Sequence, residues 1–478
     1  MTEELVEGFK LSTASYSLSL LRPDIFADLD LGSRGLSIYA KDPQMFVPLP
    51  DGRHFFVWRD PARTREEVER IHPKDADGYE RFGAWWEGAV GLLRPFVESS
   101  EPPSLLEVER FLRSKGRADV WEMAIAGSAA ANVESFFTAP EIAGAFASQG
   151  IIGTALGPRE PGTAWVMAYH FMGGELVGST GTWAYVRGGM GSVTKAIASA
   201  AADLGVEMRL NSEVEEVLID DGSVRGVRLA TGETIATAKV LSNADPLRTF
   251  RTLVPQGALS ASTIRKVDDW HSPGSVVKVN LALSELPDFV SLPGTDPGPQ
   301  HAGTIEISPS VDYLHDAWLD STRGECSSQP FMEVFIQSAT DATLAPPGAH
   351  VLSAFTQWAP PSLTRQTWAS MKPRAYEAVM AVLASRAPNL PDAVLASEVL
   401  GPPDLEERFG LTGGNIFHGE ITPDQSFGER FPYRTEIAGL YLCGSGASPG
   451  GGVMGAAGRN AARCVIADMR SAGQPVNP

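Results

Sequence analysis

Gly439-Leu440-Tyr441-Leu442-Cys443 is an apolar run of strand length that leads into Gly444-Ser445-Gly446-Ala447-Ser448-Pro449-Gly450-Gly451-Gly452-Val453-Met454-Gly455-Ala456-Ala457-Gly458. A loop with almost no side chains, followed by an alanine-rich segment, predicts a turn into the N-terminus of a helix. The free N–H groups and positive dipole end of such a terminus suit an anion, a pyrophosphate or the pyrimidine edge of a flavin, and glycines let a ligand approach the main chain. Gly450 to Gly455 formally satisfies G-x-G-x-x-G. That fingerprint normally opens a βαβ unit with an acid about 20 residues later. Here the acid downstream is Asp468, on the same expected helix, so the fingerprint reading fails. A tight strand-to-helix turn without any ligand remains the competing explanation.

A second glycine turn, Arg187-Gly188-Gly189-Met190-Gly191-Ser192, precedes an alanine-rich stretch to Leu204. Ser192 or a neighbour is expected to cap this helix and Gly205 to stop it. Strands are predicted at Val206 to Leu210, Glu213 to Ile219, Val224 to Leu229 and Thr234 to Leu241, with turns at Asp221-Gly222 and Thr231-Gly232. Helix, strand and β-meander suit the middle of a flavin-binding domain; an α+β segment without ligand fits the same pattern. Further along, strands are predicted at Val276 to Leu283, Phe331 to Gln337 and Val351 to Trp358, and helices at Asp77 to Leu93 and Pro373 to Arg386. Trp85 and Trp86, at helical spacing, are expected in the core.

Composition narrows the classes. With 478 residues, 43% of them hydrophobic, the chain can bury a large core in two or three domains or one interleaved pair. A net charge of −19 argues against nucleic acid and anionic lipid as partners. Cys326, Cys443 and Cys464 form no C-x-x-C pair, and the eight histidines show no H-E-x-x-H, so neither a dithiol centre nor a metal site is expected. The sequence has no apolar run of about 18 residues to span a bilayer, and its acidic start is neither a signal nor a transit peptide. A cytoplasmic setting follows.

The two glycine regions together resemble the phytoene-desaturase-like branch of FAD-dependent oxidoreductases, and within it the family called pyridine nucleotide-disulphide oxidoreductase domain-containing protein 2. The resemblance spans nearly the whole chain: Glu3-Glu4-Leu5-Val6-Glu7-Gly8-Phe9-Lys10 with Ala14-Ser15-Tyr16, Leu20-Leu21-Arg22-Pro23, Gly188 to Gly191, Gly413-Gly414-Asn415-Ile416-Phe417-His418-Gly419, and the C-terminal loop. It implies an α/β fold in which a Rossmann-like FAD domain of glutathione-reductase type is interleaved with an α+β substrate domain. The family opens with a βαβ unit of roughly 30 or more residues ahead of the counterpart of Thr2 to Glu4. This sequence begins after it, so the FAD domain is expected to be N-terminally truncated at Met1.

The resemblance also implies roles. FAD would be cupped by Gly452, Val453 and Gly455 at its ring edge, by Gly444, Ser445 and Gly446 near the ribityl and pyrophosphate, by Val214 at the adenine, and by Gly188, Gly189, Met190 and Gly191 near the flavin. A stub of the FAD domain is expected over 1–50, helical substrate-domain structure over 51–186, FAD domain over 187–270, a mixed-sheet substrate region over 271–409, and FAD domain again over 410–478. His418 is the candidate catalytic base, since a neutral imidazole accepts a proton near pH 7; a loop histidine bonded to backbone is the alternative. Cys443 reads as a small apolar filler. The substrate is expected to be a small molecule, apolar or amine-bearing, and eukaryotic relatives are mitochondrial. Against this enzyme stands a non-catalytic scaffold that has lost FAD and binds a protein partner.

Overall fold

A seven-stranded mixed sheet organises one side of the molecule. Its strands run in the order Val394–Leu400, Val276–Leu283, His350–Gln357, Phe331–Phe335, Thr304–Ile307, Met45–Pro48, His54–Val57. All neighbours are antiparallel except Thr304–Ile307 with Met45–Pro48. The computed structural model describes residues 1–474. Val276–Leu283 is buried at every position because it lies inside the sheet and is covered on both faces.

Period-two alternation sends the side chains of this sheet to different cores. Val277, Val279, Met332, Val334 and Ala354 meet one core, shared with the long helix Arg365–Arg386. Val276, Phe331 and Phe355 meet another, built by the helices between residues 61 and 171. Helix Ala76–Glu98 joins that core through Phe82, Trp86, Ala89, Val90 and Leu93, a stripe at helical spacing. Caps set the ends of its neighbours: Asp60 accepts from the Ala62 N–H, and Ser104 and Glu107 form a reciprocal capping box.

The other side of the molecule holds helix Gly191–Asp203, the three-stranded meander Val214–Asp220, Ser223–Leu229, Thr234–Ala236, and the parallel pair Val240–Ser242 with Leu440–Leu442. Helix Ala456–Ser471 packs there through Ala457, Ala461 and Cys464. An N-terminal hairpin, Thr2–Val6 with Phe9–Ser12, lies against the Gly188 turn.

Several expectations are corrected. Val206 to Leu210 forms no strand. An extended segment needs a partner to satisfy its ladder groups, and none of the described strands pairs with it, so Val206, Met208 and Leu210 remain exposed. Thr234 to Leu241 breaks in two, and its second part leaves the meander to pair with Leu440–Leu442. Ser192 does not cap its helix: its hydroxyl donates to the Arg187 carbonyl, while Thr2 and Ser12 accept from the N–H groups of Gly191 and Met190. The helix predicted from Pro373 starts at Arg365, capped by Thr364.

Arg430 ties the segment from Phe417 to Gln425 to the glycine loop. Its guanidinium is buried and donates to four carbonyls: Phe417 at 2.7 Å, Glu420 at 2.9 Å, Gln425 at 3.0 Å and Ser445 at 2.7 and 3.1 Å. A lysine has no planar fork and reaches fewer of them. Arg430→Lys is therefore expected to lose about 2–4 kcal/mol in urea unfolding, through carbonyls left buried and unpaired; a loss below about 0.5 kcal/mol would contradict this role.

Candidate functional site

Three apolar strands each carry a charge in their interior: Lys278 in VVKVNLAL, Glu306 in TIEI and Glu333 in FMEVF. Each sits between residues that face the core of helix Arg365–Arg386, so all three project from the opposite face. Register aligns them. Glu306 is directly opposite Glu333, and both Glu333 and Lys278 are opposite Phe355. At about 4.8 Å per strand, this is one transverse row under the helical half.

The row is enclosed and incompletely paired. Tyr16 Oη donates to Glu333 Oε2 at 2.9 Å and Gln149 Nε2 lies 3.4 Å from Glu333 Oε1. Lys41 Nζ bonds Thr304 Oγ1. Lys278 Nζ rests 4.3 Å from the centre of the Tyr16 ring and has no hydrogen-bond partner among the described residues. The Glu306 carboxylate also lacks one; Ser148 and Ser308 stand beside it outside bonding geometry. Burial disfavours every charged form here. It lowers Lys41 to about 8 and Lys278 to about 7, with the attraction of Glu333 opposing. It raises Glu306 well above the carboxylate range, helped by Glu333, and raises Glu333 against the pull of Lys41.

Opposite the row stands the C-terminal glycine loop. Its carbonyls are held by buried side chains: Ser445 by Arg430, Ser448 by Tyr433, and Gly451 by Tyr169 at 2.6 Å. The backbone N–H groups from Gly450 to Ala456 find no acceptor among the described residues, and helix Ala456–Ser471 has no side-chain N-cap. Val453 adopts φ +58°, a conformation strained for a β-branched residue, and is 38% exposed. A cavity of about 190 Å³ separates loop from row, with Tyr16, His170, Lys278, Phe417, Gly452 and Val453 in its wall.

Of the residues read from sequence, Gly452 and Val453 face this cavity, and Gly455 begins the helix behind them. Gly188, Gly189, Met190 and Gly191 do not line it. Their tightness is owed to the protein: a Cβ on Gly189 would lie 2.4 Å from Thr2 Oγ1, and the Gly188 N–H donates to Asp341. Gly444 and Gly446 likewise press on Asn243 and Pro246, and Ser445 is tied by Arg430. Val214 starts the meander opposite Leu229. His418 lies outside the cavity wall, its carbonyl accepting from Trp270 and its imidazole pKa lowered by burial. Burial raises the Cys443 thiol to about 11, which leaves it inert. Lys278, Glu306, Glu333 and His170 were missed, though a single charge within an apolar strand was the available signal for the first three.

The sequence model of the family described as flavin containing amine oxidoreductase matches residues 37–362. The chain belongs to that family. Pyridine nucleotide-disulfide oxidoreductase domain-containing protein 2 of Mus musculus is 36% identical over 98% of this chain and 87% of its own length. A phytoene desaturase (neurosporene-forming) of Cereibacter sphaeroides is 27% identical over 87% of this chain and 77% of its own. Among solved structures, cyclohexylamine oxidase from Brevibacterium oxydans superposes with a TM-score of 0.59 at 14% identity, covering 99% of this chain and 90% of the oxidase. The expected α/β flavoprotein fold is thereby established, and the oxidoreductase family with it.

A flavin fits what surrounds the cavity. Uncapped N–H groups at the helix start suit the carbonyl edge of the ring, Gly452 and Val453 line the cavity beside them, and Lys278 offers an unpartnered amine across the gap. Among the described residues no His/Cys/Asp/Glu cluster suits a metal ion, and no helix is long and apolar enough to cross a membrane.

The lowered pKa of Lys278 has a thermodynamic signature. Between about pH 7 and 10.4 the unfolded chain binds its proton while the folded chain does not, so stability contributed by this residue rises with pH over that window. Lys278→Met is expected to be more stable than the parent at pH 6, by about 2–4 kcal/mol, with the gap closing towards pH 10. Urea melts at both pH values check this; a gap independent of pH would show that Lys278 titrates normally.

Proposed function

We propose that this protein is an FAD-dependent oxidoreductase that removes a hydride from a small apolar or amine-bearing substrate held between the glycine loop and Lys278. The observation that carries the reading is Val453, a β-branched residue kept at positive φ where its side chain meets a cavity facing an unpartnered, fully buried lysine. Strain of this kind is retained where surrounding structure fixes a functional geometry. When bound, FAD supplies the hydride acceptor, which no amino-acid side chain provides.

The chain's own residues do the rest. The helix start stabilises negative charge placed against its N–H groups. Lys278, with a pKa of about 7, exists substantially as the free amine at neutral pH and can accept a proton from the heteroatom of a substrate or hold a water there. Tyr16, Ile152, Phe355, Ile416 and Phe417 keep the reacting centre dry. On this reading Gly444 to Gly446 lie along the ribityl and pyrophosphate, Val214 near the adenine, and Gly188 to Gly191 near the flavin. Residues 1–50, 187–270 and 410–478 form the flavin side, and 51–186 and 271–409 the substrate side.

A second reading, a partner-binding scaffold without FAD, is favoured by one observation: Gly189 and Gly191 pack on Thr2, so their missing side chains need no ligand. Absorbance separates the two. After incubation with FAD and removal of the excess, the purified protein is expected to keep the two visible flavin bands, and their absence would support the scaffold. Val453→Glu is expected to lower FAD affinity at least tenfold with little change in Tm, since the exposed position tolerates charge but the ring contact does not.

A further inference from the structure

A second cavity, of about 550 Å³, lies under the helical half, with Lys41, Gln149 and Glu333 buried at its inner end. Other residues of its wall are exposed and so mark its mouth. They are Arg59 and Pro61, then Gly83 and Glu87 one turn apart on helix Ala76–Glu98, and the stretch from Gly178 to Thr180.

That last stretch is the tip of a loop whose neck is fixed. The Gly174 N–H donates to the Ser19 carbonyl at 2.9 Å, the Gly181 N–H to the Gly173 carbonyl at 2.8 Å, and the Trp183 N–H to Gln44 Oε1 at 2.8 Å. Gly174 and Gly181 take φ of +101° and +75°. A Cβ on Gly174 would fall 1.9 Å from the Ser179 carbonyl oxygen, so this reversal requires glycine.

The tip is held far less. Val177, Gly178, Ser179 and Thr180 belong to none of the buried apolar clusters, and a Cβ on Gly178 would meet nothing within 4 Å. Among the described residues a single hydrogen bond ties these four to the protein outside the loop: Arg59 Nη2 donates to the Val177 carbonyl at 2.9 Å. Arg59 is itself on the rim of the mouth. A segment with few buried contacts opens at low free-energy cost while its surroundings stay folded.

We propose that Gly174 to Gly181 is a lid over this mouth, pivoting at its two end glycines and latched by Arg59, so that access to Lys41 and Glu333 is set by how often the latch breaks. The inference concerns access alone and does not depend on the oxidoreductase reading.

Lys41 reports the opening. It is a primary amine, 3% exposed, at the inner end of the cavity, and its pKa of about 8 leaves much of it as free amine at pH 8. Sulfosuccinimidyl acetate at that pH acetylates it when the cavity is open, and mass spectrometry of the peptide that carries it gives the rate. In the parent Lys41 is expected to react at least tenfold more slowly than the exposed Lys74. Arg59→Ala removes a bond from a charged donor and should raise the Lys41 rate at least threefold. Gly178→Ala has room for its Cβ but must hold φ +99°, and should raise it comparably without touching Arg59. Hydrogen exchange at Val177 to Gly181 should quicken in both variants, with strand Ala184–Val186, the Lys266 acetylation rate and Tm unchanged. Where Arg59→Ala fails to fold, Gly178→Ala decides. Lys41 as reactive as Lys74 in the parent, Lys41 unreactive in all three proteins, or an Arg59→Ala rate equal to the parent's overturns the proposal. A rise shared by Lys266 and strand Ala184–Val186 also overturns it, since it shows general loosening in place of a lid.

Discussion

The site depends on where one buried cation places its hydrogen bonds. Arg430 has no carboxylate bonded to it among the described residues; it is held by main-chain carbonyls of two segments, Phe417, Glu420 and Gln425 from one and Ser445 from the glycine loop. Burial lowers its pKa only to about 10, so it remains charged, with Tyr169 and Glu420 opposing the shift. Charge-assisted bonds of this kind are stronger and more directional than neutral ones. They fix the loop in a shape that glycine alone would leave to entropy. Tyr169 and Tyr433 complete the clamp at Gly451 and Ser448. The loop can then offer its N–H groups outward because its carbonyls are committed inward.

Across the cavity the sheet does comparable work by register. Four strands brought into order place Lys278, Phe355, Glu333 and Glu306 in one line. Desolvation then decides their protonation: with little water to share the charge, both carboxylates rise, and both lysines fall towards neutrality. The two lysines, at about 8 and about 7, are thereby brought near physiological pH, where exposed ones would stay charged. The aromatic helices above the row exclude water, and that exclusion keeps the pKa values displaced.

Elements whose signals are local were legible from the sequence. The meander strands Val214–Asp220 and Ser223–Leu229, the stop at Gly205, the buried strand Val276–Leu283 and the turn into helix Ala456–Ser471 all follow from period, turn residues and glycine placement. Val206 to Leu210 has the right alternation and still forms no strand, because a strand exists only with a partner to bond. The Gly188 turn is expected near the flavin, and its glycines are closely packed. The groups packed against them are Thr2 and Ser12, 189 and 178 residues from Gly191 and Met190 in the chain. His418 has the chemistry of a base but lies outside the cavity wall, whereas His170, inside an apolar helix with no local signal of a site, lines the cavity.

The sequence by itself determined the family, the α/β class and the glycine-lined start of the last helix, since these reside in contiguous residues and their spacing. Tertiary structure alone decided which charges share a face, which glycines serve packing, and which side chains line a cavity. The physical reason is that pKa, cavity and hydrogen-bond satisfaction belong to groups far apart in sequence. Lys278 and Tyr16 acquire their chemistry only when folding removes water from between them.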